Sequence, residues 1–195
     1  MIVVGLTGSI GMGKSETARM VRRLGIAVFD ADAAVHALTA KGGAAVAAVG
    51  AAFPGSVRNG AVDRAILGPQ VLGDPAALRR LERIIHPLVG RARAVFLARA
   101  RRARAPVVVL DIPLLYETKG DKRVDATIVV SAPYFLQTLR VLRRANMTPQ
   151  KLADTRARQV PDAIKRRRAD FVIRTGLGRR FALDALRRIV ARLKR

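Results

Sequence analysis

Apolar and polar positions along this chain follow two rhythms. Short segments rich in β-branched residues, IVVGLT (Ile2 to Thr7), IAVFDAD (Ile26 to Asp32), PVVVLDIPLL (Pro106 to Leu115), DATIVVS (Asp125 to Ser131) and FVIRTG (Phe171 to Gly176), predict buried strands. Between them the spacing turns helical. Ala18, Val21 and Leu24 share one face while Arg19, Arg22 and Arg23 point elsewhere, and Gly25 ends the segment. A second apolar stripe, Leu78, Leu81, Ile84 or Ile85, Leu88 and Val95, starts at the helix-opening pair Asp74-Pro75 and runs to about Arg104. Pro87 is expected to kink or interrupt it. Between Ala33 and Gly73, alanine, glycine, the PGS at Pro54 and the Asn59-Gly60 pair predict short helices and turns. FALDALRRIVARLKR (Phe181 to Arg195) reads as an amphipathic helix with a basic face. Strands separated by helices predict an α/β fold, a parallel sheet with right-handed crossovers. No repeat or long linker divides the chain, so one compact unit with insertions is expected.

Composition narrows the chemistry. The 195 residues, 50% hydrophobic and 26% charged, suit a globular protein, and the absence of cysteine excludes disulfides, thiolate metal sites and cysteine nucleophiles. The N-terminal run has no basic leader pattern and no stretch is long enough to span a bilayer, so a cytoplasmic protein with no membrane partner is expected. A formal charge of +23, from 37 Lys+Arg against 14 Asp+Glu, predicts attraction to polyanions, nucleotides and nucleic acids alike. Aromatics make up only 4% of residues and no DNA- or RNA-reading motif appears, so no specific nucleic-acid partner is expected. The runs RARRAR (Arg99 to Arg104) and KRRR (Lys165 to Arg168) are expected to be solvated faces.

The most specific chemistry lies in GSIGMGKS. Gly8, Gly13, Lys14 and Ser15 match G-x-x-x-x-G-K-[ST] between a predicted strand and a predicted helix. Glycines let successive N–H groups curl around a phosphate, and the helix N-terminus adds partial positive charge. Lys14 would reach the β and γ phosphates, and the Ser15 hydroxyl would help hold Mg²⁺. The second predicted strand ends in FDAD. Asp30 and Asp32, read as extended, would point to opposite sides, so that one of them faces the phosphates as a base or as a water-mediated Mg²⁺ ligand. Helix capping or a loop salt bridge is the plainer reading of either. Asp111, at the end of another strand, reads as the carboxylate that organises Mg²⁺ through water, or as a loop cap.

Taken together, LTGSIGMGKS (Leu6 to Ser15), DAD (Asp30 to Asp32), IHPL (Ile85 to Leu88), LDIPLLYE (Leu110 to Glu117), the RxxxR pair Arg140 and Arg144, Gln159 and ADFVI before a glycine (Ala169 to Gly176) resemble the dephospho-CoA kinases. The resemblance runs from Met1 to about Leu177. It implies a P-loop NTPase-like parallel sheet flanked by helices, using ATP and Mg²⁺ to phosphorylate the ribose 3′-hydroxyl of dephospho-CoA. Residues 1–34, 106–135 and 160–195 would form the nucleotide-binding core, 35–105 a helical insertion for the CoA-side substrate, and 136–159 the lid helices. It further implies Asp32 as catalytic base beside Lys14 and Arg140. ATP would contact Gly8, Gly11, Met12, Gly13, Lys14, Ser15, Glu16, Arg140 and Arg144. Substrate would contact Asp32, His86, Pro87 and Leu114, with Ser15 and Asp111 at the metal. His86 is equally readable as a packed or capping histidine. The chain departs from the family at Ser131, Phe135, Arg174 and Thr175, which bear on adenine and hinge contacts. A kinase of nucleosides or nucleoside monophosphates, or a basic nucleic-acid-binding protein, are the competing readings. A monomer is expected, with oligomers left open.

Overall fold

The structure is a computed structural model that describes residues 1–194; Arg195, the end of the predicted final helix, lies outside the described residues. By Cα proximity the chain divides into two compact units, residues 1–29 with 100 onward, and Asp30–Arg99.

The first unit is built on the apolar runs. β1 (Ile2–Thr7), β2 (Ala27–Asp30), β5 (Val107–Asp111), β6 (Ala126–Ser131) and β7 (Phe171–Arg174) form one sheet in the order β2-β5-β1-β6-β7. β1 pairs in parallel with both β5 and β6, and β6 with β7. Every residue of β5 and β6 is buried, which is why both read as unbroken apolar runs without alternation. α1 (Lys14–Arg23) and α9 (Arg179–Leu193) pack their apolar stripes, Ala18, Met20 and Val21 with Ala182, Leu186 and Ile189, into the same core as Val4, Leu6 and Ile128. Glu16 in the first turn and Arg22 and Arg23 in the last complement the dipole of α1. α6 (Tyr134–Leu142), α7 (Pro149–Ala157) and α8 (Asp162–Arg168) join β6 to β7.

The second unit packs around Phe53. It contains α2 (Ala31–Thr39), α3 (Val46–Ala52), a hairpin of β3 (Val57–Arg58) and β4 (Ala61–Val62), α4 (Arg64–Val71) and most of α5 (Pro75–Arg102). Ala45, Val49, Phe53, Val62, Leu67, Val71, Ala77 and Ile85 form its core. The Asn59-Gly60 turn has positive φ at both residues (51° and 77°), as a two-residue hairpin turn demands. Asp63 and Asp74 cap the helices that follow them; Asp74 Oδ1 accepts from the amides of Ala76 and Ala77 at 2.8 and 3.1 Å. Those amides, Ala77 first, hold the Asp74 carboxyl below the usual carboxylate range.

Pro87 does not interrupt its helix. α5 runs unbroken for 28 residues because Pro87 and His86 lie on the exposed side, where water can serve the carbonyl that proline leaves without a donor. Among the described residues no helix is long and apolar enough to cross a membrane.

Candidate active site

The chain leaves β1 at Thr7 and turns through GSIGMG before α1 starts at Lys14. Gly8 is buried against Val130 of β6. Gly11 and Gly13 take left-handed φ of 74° and 93°, a conformation that costs other residues steric strain. A Cβ on Gly11 would also lie 2.5 Å from Val141 Cγ2, so α6 rests directly against the loop. Met12 is buried, and its Sδ accepts from the Ala132 amide at 3.1 Å. The loop thus delivers the N-terminus of α1, with its unpaired amides and positive dipole end, beside the C-terminal ends of the sheet's strands.

Lys14 reaches across to Asp111 at the end of β5, Nζ lying 2.6 Å from Oδ1. The Asp111 side chain is 3% exposed, so its charge needs this partner. An ammonium has three donors, which leaves Lys14 able to bond phosphate oxygens while keeping Asp111. Ser15 stands exposed in the first turn of α1. Glu16 does not point a bare carboxylate at the loop: it pairs with Arg19 at 2.8 Å and Arg179 at 2.6 Å.

Arg140, in the last turn of α6, turns toward the loop. It donates to Thr175 Oγ1 and to the Thr175 carbonyl, both at 3.1 Å, and to the Gly11 carbonyl at 3.5 Å. Thr175 Oγ1 in turn donates to the Met12 carbonyl at 2.7 Å. Thr175, one of the positions where the chain departs from the family it resembles, therefore fastens the loop after β7 to the glycine loop. Arg144 lies beyond the end of α6 and is exposed. Beside the loop opens a largely apolar cavity of about 870 Å³, lined by Ser9, Met12, Phe135, Val160 and Leu177 among others. Leu114 is exposed in the turn after β5.

In the second unit, Asp30 and Asp32 are not both on a strand. Asp30 ends β2 and caps α2, its Oδ1 accepting from the Ala33 amide at 3.0 Å, and Asp32 is already helical, exposed in the first turn. The alternation expected of an extended FDAD therefore does not apply: the cap and the alanine-rich ADAAVHAL start the helix earlier. His86 and Pro87 are exposed on α5, beside Arg79, Glu82 and Arg83 in a groove of about 730 Å³.

The run KRRR is not a uniform solvated face. Lys165 is 0% exposed, its Nζ 2.8 Å from Glu117 Oε1. Arg168 pairs with Asp121 at 2.6 Å and covers the Tyr116 ring, and Arg166 pairs with Asp162 at 3.0 Å. α8 turns its one lysine inward because Glu117, in the LDIPLLYE turn, offers a buried partner. Gln137 and Arg156 also reach the loop's surroundings without having stood out in the sequence, and Thr175 stood out only as a departure from the family. Nothing in their local pattern marks a buried glutamine or a fastening threonine, although the departure from the family at Thr175 was a signal.

The sequence model of the dephospho-CoA kinase family matches residues 2–177. The chain is 65% identical over 166 residues to a dephospho-CoA kinase of Paramagnetospirillum magneticum, covering 85% of this chain and 78% of that protein. It is 59% identical over 187 residues to a dephospho-CoA kinase of Rhodospirillum rubrum, covering 95% and 89%. Among solved structures, the Thermus thermophilus protein TT1252 superposes with a TM-score of 0.84 at 34% identity, covering 98% of this chain and 97% of that one.

Proposed function

Because the chain belongs to the dephospho-CoA kinase family, it transfers phosphate from ATP to the ribose 3′-hydroxyl of dephospho-CoA, and we propose that Lys14, Ser15, Asp32 and Asp111 carry the reaction. The observation that carries this reading is the Lys14–Asp111 pair at the N-terminus of α1, directly behind the glycine loop.

The amides of Gly11, Gly13, Lys14 and Ser15 and the dipole of α1 bind the phosphates, and Lys14 follows the transferred group as its charge spreads over the equatorial oxygens. Arg140, already beside the Gly11 carbonyl, adds positive charge on the lid side, and Arg144 joins it from beyond the end of α6. Asp32 accepts the proton of the 3′-hydroxyl as its oxygen attacks the γ-phosphorus in line with the leaving ADP oxygen. The family resemblance and the exposed position of Asp32 in a first helical turn support that role. His86, Pro87 and Leu114, all exposed, are assigned to dephospho-CoA on the same resemblance. Residues 35–105 are assigned to the CoA-side substrate and 136–159 to the lid.

The donor set suits a hard cation that keeps most of its water. Ser15 and Asp111 offer a hydroxyl and a carboxylate, and among the described residues no group of three or more His, Cys, Asp or Glu forms a cage. Mg²⁺ would be held by Ser15 directly and by Asp111 through water, and supplies charge neutralisation on the β and γ phosphates when bound.

Measuring ADP release with dephospho-CoA, AMP, CMP, uridine and shikimate as acceptors tests the function. Dephospho-CoA is expected to give the highest kcat/KM, and a faster acceptor among the others would overturn the assignment. For the base, Asp32→Asn is expected to lose ~10²-fold or more in kcat while ATP affinity is kept. Unchanged turnover would remove Asp32 from that role.

A further inference from the structure

Ile10, at the middle of the glycine loop, gives both hydrogen-bonding groups of its main chain to side chains from elsewhere in the first unit. Its N–H donates to Gln159 Oε1 at 3.1 Å, and its carbonyl accepts from Gln137 Nε2 at 2.8 Å. Gln137 is on α6 and only 3% exposed; Gln159 follows α7. The remaining oxygen of Gln137 accepts from Arg156 Nε at 3.0 Å. Arg156, on α7, spends its other donors on the Tyr134 hydroxyl and on Thr138 Oγ1, and its guanidinium lies 3.8 Å from the centre of the Tyr134 ring. Each contact locks the next, so the amide orientation of Gln137 is fixed from both sides.

A glycine-rich loop is the segment least able to hold its own shape, because glycine has the most backbone freedom to lose. Anion binding nevertheless requires its amides to be aimed in advance. From these contacts we propose that Gln137 and Gln159, with Arg156 behind Gln137, are positioning residues that set the phosphate-binding shape of the loop and couple it to the α6–α7 pair. The proposal rests on the reading of the loop as the ATP site. It assigns opposite chemistry to the two glutamines: at position 159 only an acceptor is needed, and at position 137 a donor is indispensable.

That asymmetry supplies the test. Gln159→Glu keeps an acceptor for the Ile10 amide, whereas Gln137→Glu sets a carboxylate oxygen against the Ile10 carbonyl. Both changes add the same charge near the same residue, so the contrast between them isolates the hydrogen bonds. The expected KM for ATP rises about tenfold or more in Gln137→Glu and Gln159→Leu, and stays within about threefold of wild type in Gln159→Glu, with the KM for dephospho-CoA little changed. Hydrogen exchange of the Ile10 amide, followed without nucleotide, is expected to accelerate about tenfold in Gln159→Leu and to be restored in Gln159→Glu. Melting temperatures separate loss of fold from loss of loop order, and the partly exposed position 159 keeps the test available should the buried position 137 not tolerate change. Equal behaviour of the two glutamate variants, or unaltered exchange and KM in Gln159→Leu, would overturn the proposal. Because the exchange measurement needs no ATP, a wild-type protein that failed to use ATP would strike the functional reading alone.

Discussion

The two compact units spend their buried space differently. In the sheet unit, buried Thr7 donates to the Pro113 carbonyl, Thr127 to Asp170 and Ser131 to Asp162, beside the Asp111, Gln137 and Lys165 contacts described above; in the helical unit the core around Phe53 is apolar, with Thr39 and Ser56 its buried polar residues. Polar burial is costly unless geometry is right, so the first unit exchanges tolerance for fixed polar positions. The second needs only volume and periodicity. Substitutions in the first should therefore be coupled and partner-dependent, and in the second they should scale with the volume removed.

The largest effect on stability tests the apolar half of that contrast. Phe53 is 1% exposed with Arg80 stacked 4.7 Å from its ring centre, and Phe53→Ala is expected to cost about 3–5 kcal/mol. Denaturant unfolding measures the loss, and the KM for ATP of the folded protein should move by less than about twofold. A shift in stability below about 1 kcal/mol would show that this core can collapse around the hole.

Next comes the buried pair. Lys165→Met leaves the Glu117 carboxylate facing an apolar side chain and is expected to cost about 3 kcal/mol. The double variant Glu117→Gln with Lys165→Met should recover most of that loss, since glutamine still accepts from the Val160 amide, now 2.8 Å from Glu117 Oε1. Additive losses in the two single variants and the double would contradict coupling.

The smallest effect is a cap. Asp74 carries a carboxyl lowered by the Ala77 and Ala76 amides, so its contribution is present above the unfolded carboxylate pKa and is lost as pH falls through the lower folded value. Asp74→Ala should lower the melting temperature modestly at neutral pH, and the difference from wild type should shrink in acid. A difference independent of pH would mean the cap does not act through its charge.

Sequence alone discloses much of the sheet unit's frame and little of its interior bonding. The runs at β1, β5 and β6 announce buried strands because those strands are covered on both faces, and GSIGMGKS announces the loop because glycine, lysine and serine have few other reasons to share that spacing. Asp32 shows the limit at boundaries: whether a residue ends a strand or starts a helix depends on the capping bond of Asp30, which a residue pattern does not display. Lys165 and Gln137 show the limit in the interior. A lysine in a basic run and a glutamine in an amphipathic helix look solvated until a partner 48 residues upstream in the chain, or a loop carbonyl, is brought against them. Pro87 is a third case, since exposure on α5, not the residue type, decides that the helix continues.

The measurement that bears most directly on the central claim is single-turnover phosphate transfer from ATP to dephospho-CoA by wild type and by Lys14→Ala, at a temperature where both are folded. The account predicts a loss of about 10²-fold or more in the transfer step, with weaker ATP binding and a melting temperature lowered by the loss of the Lys14–Asp111 pair. Transfer within about threefold of wild type would contradict it.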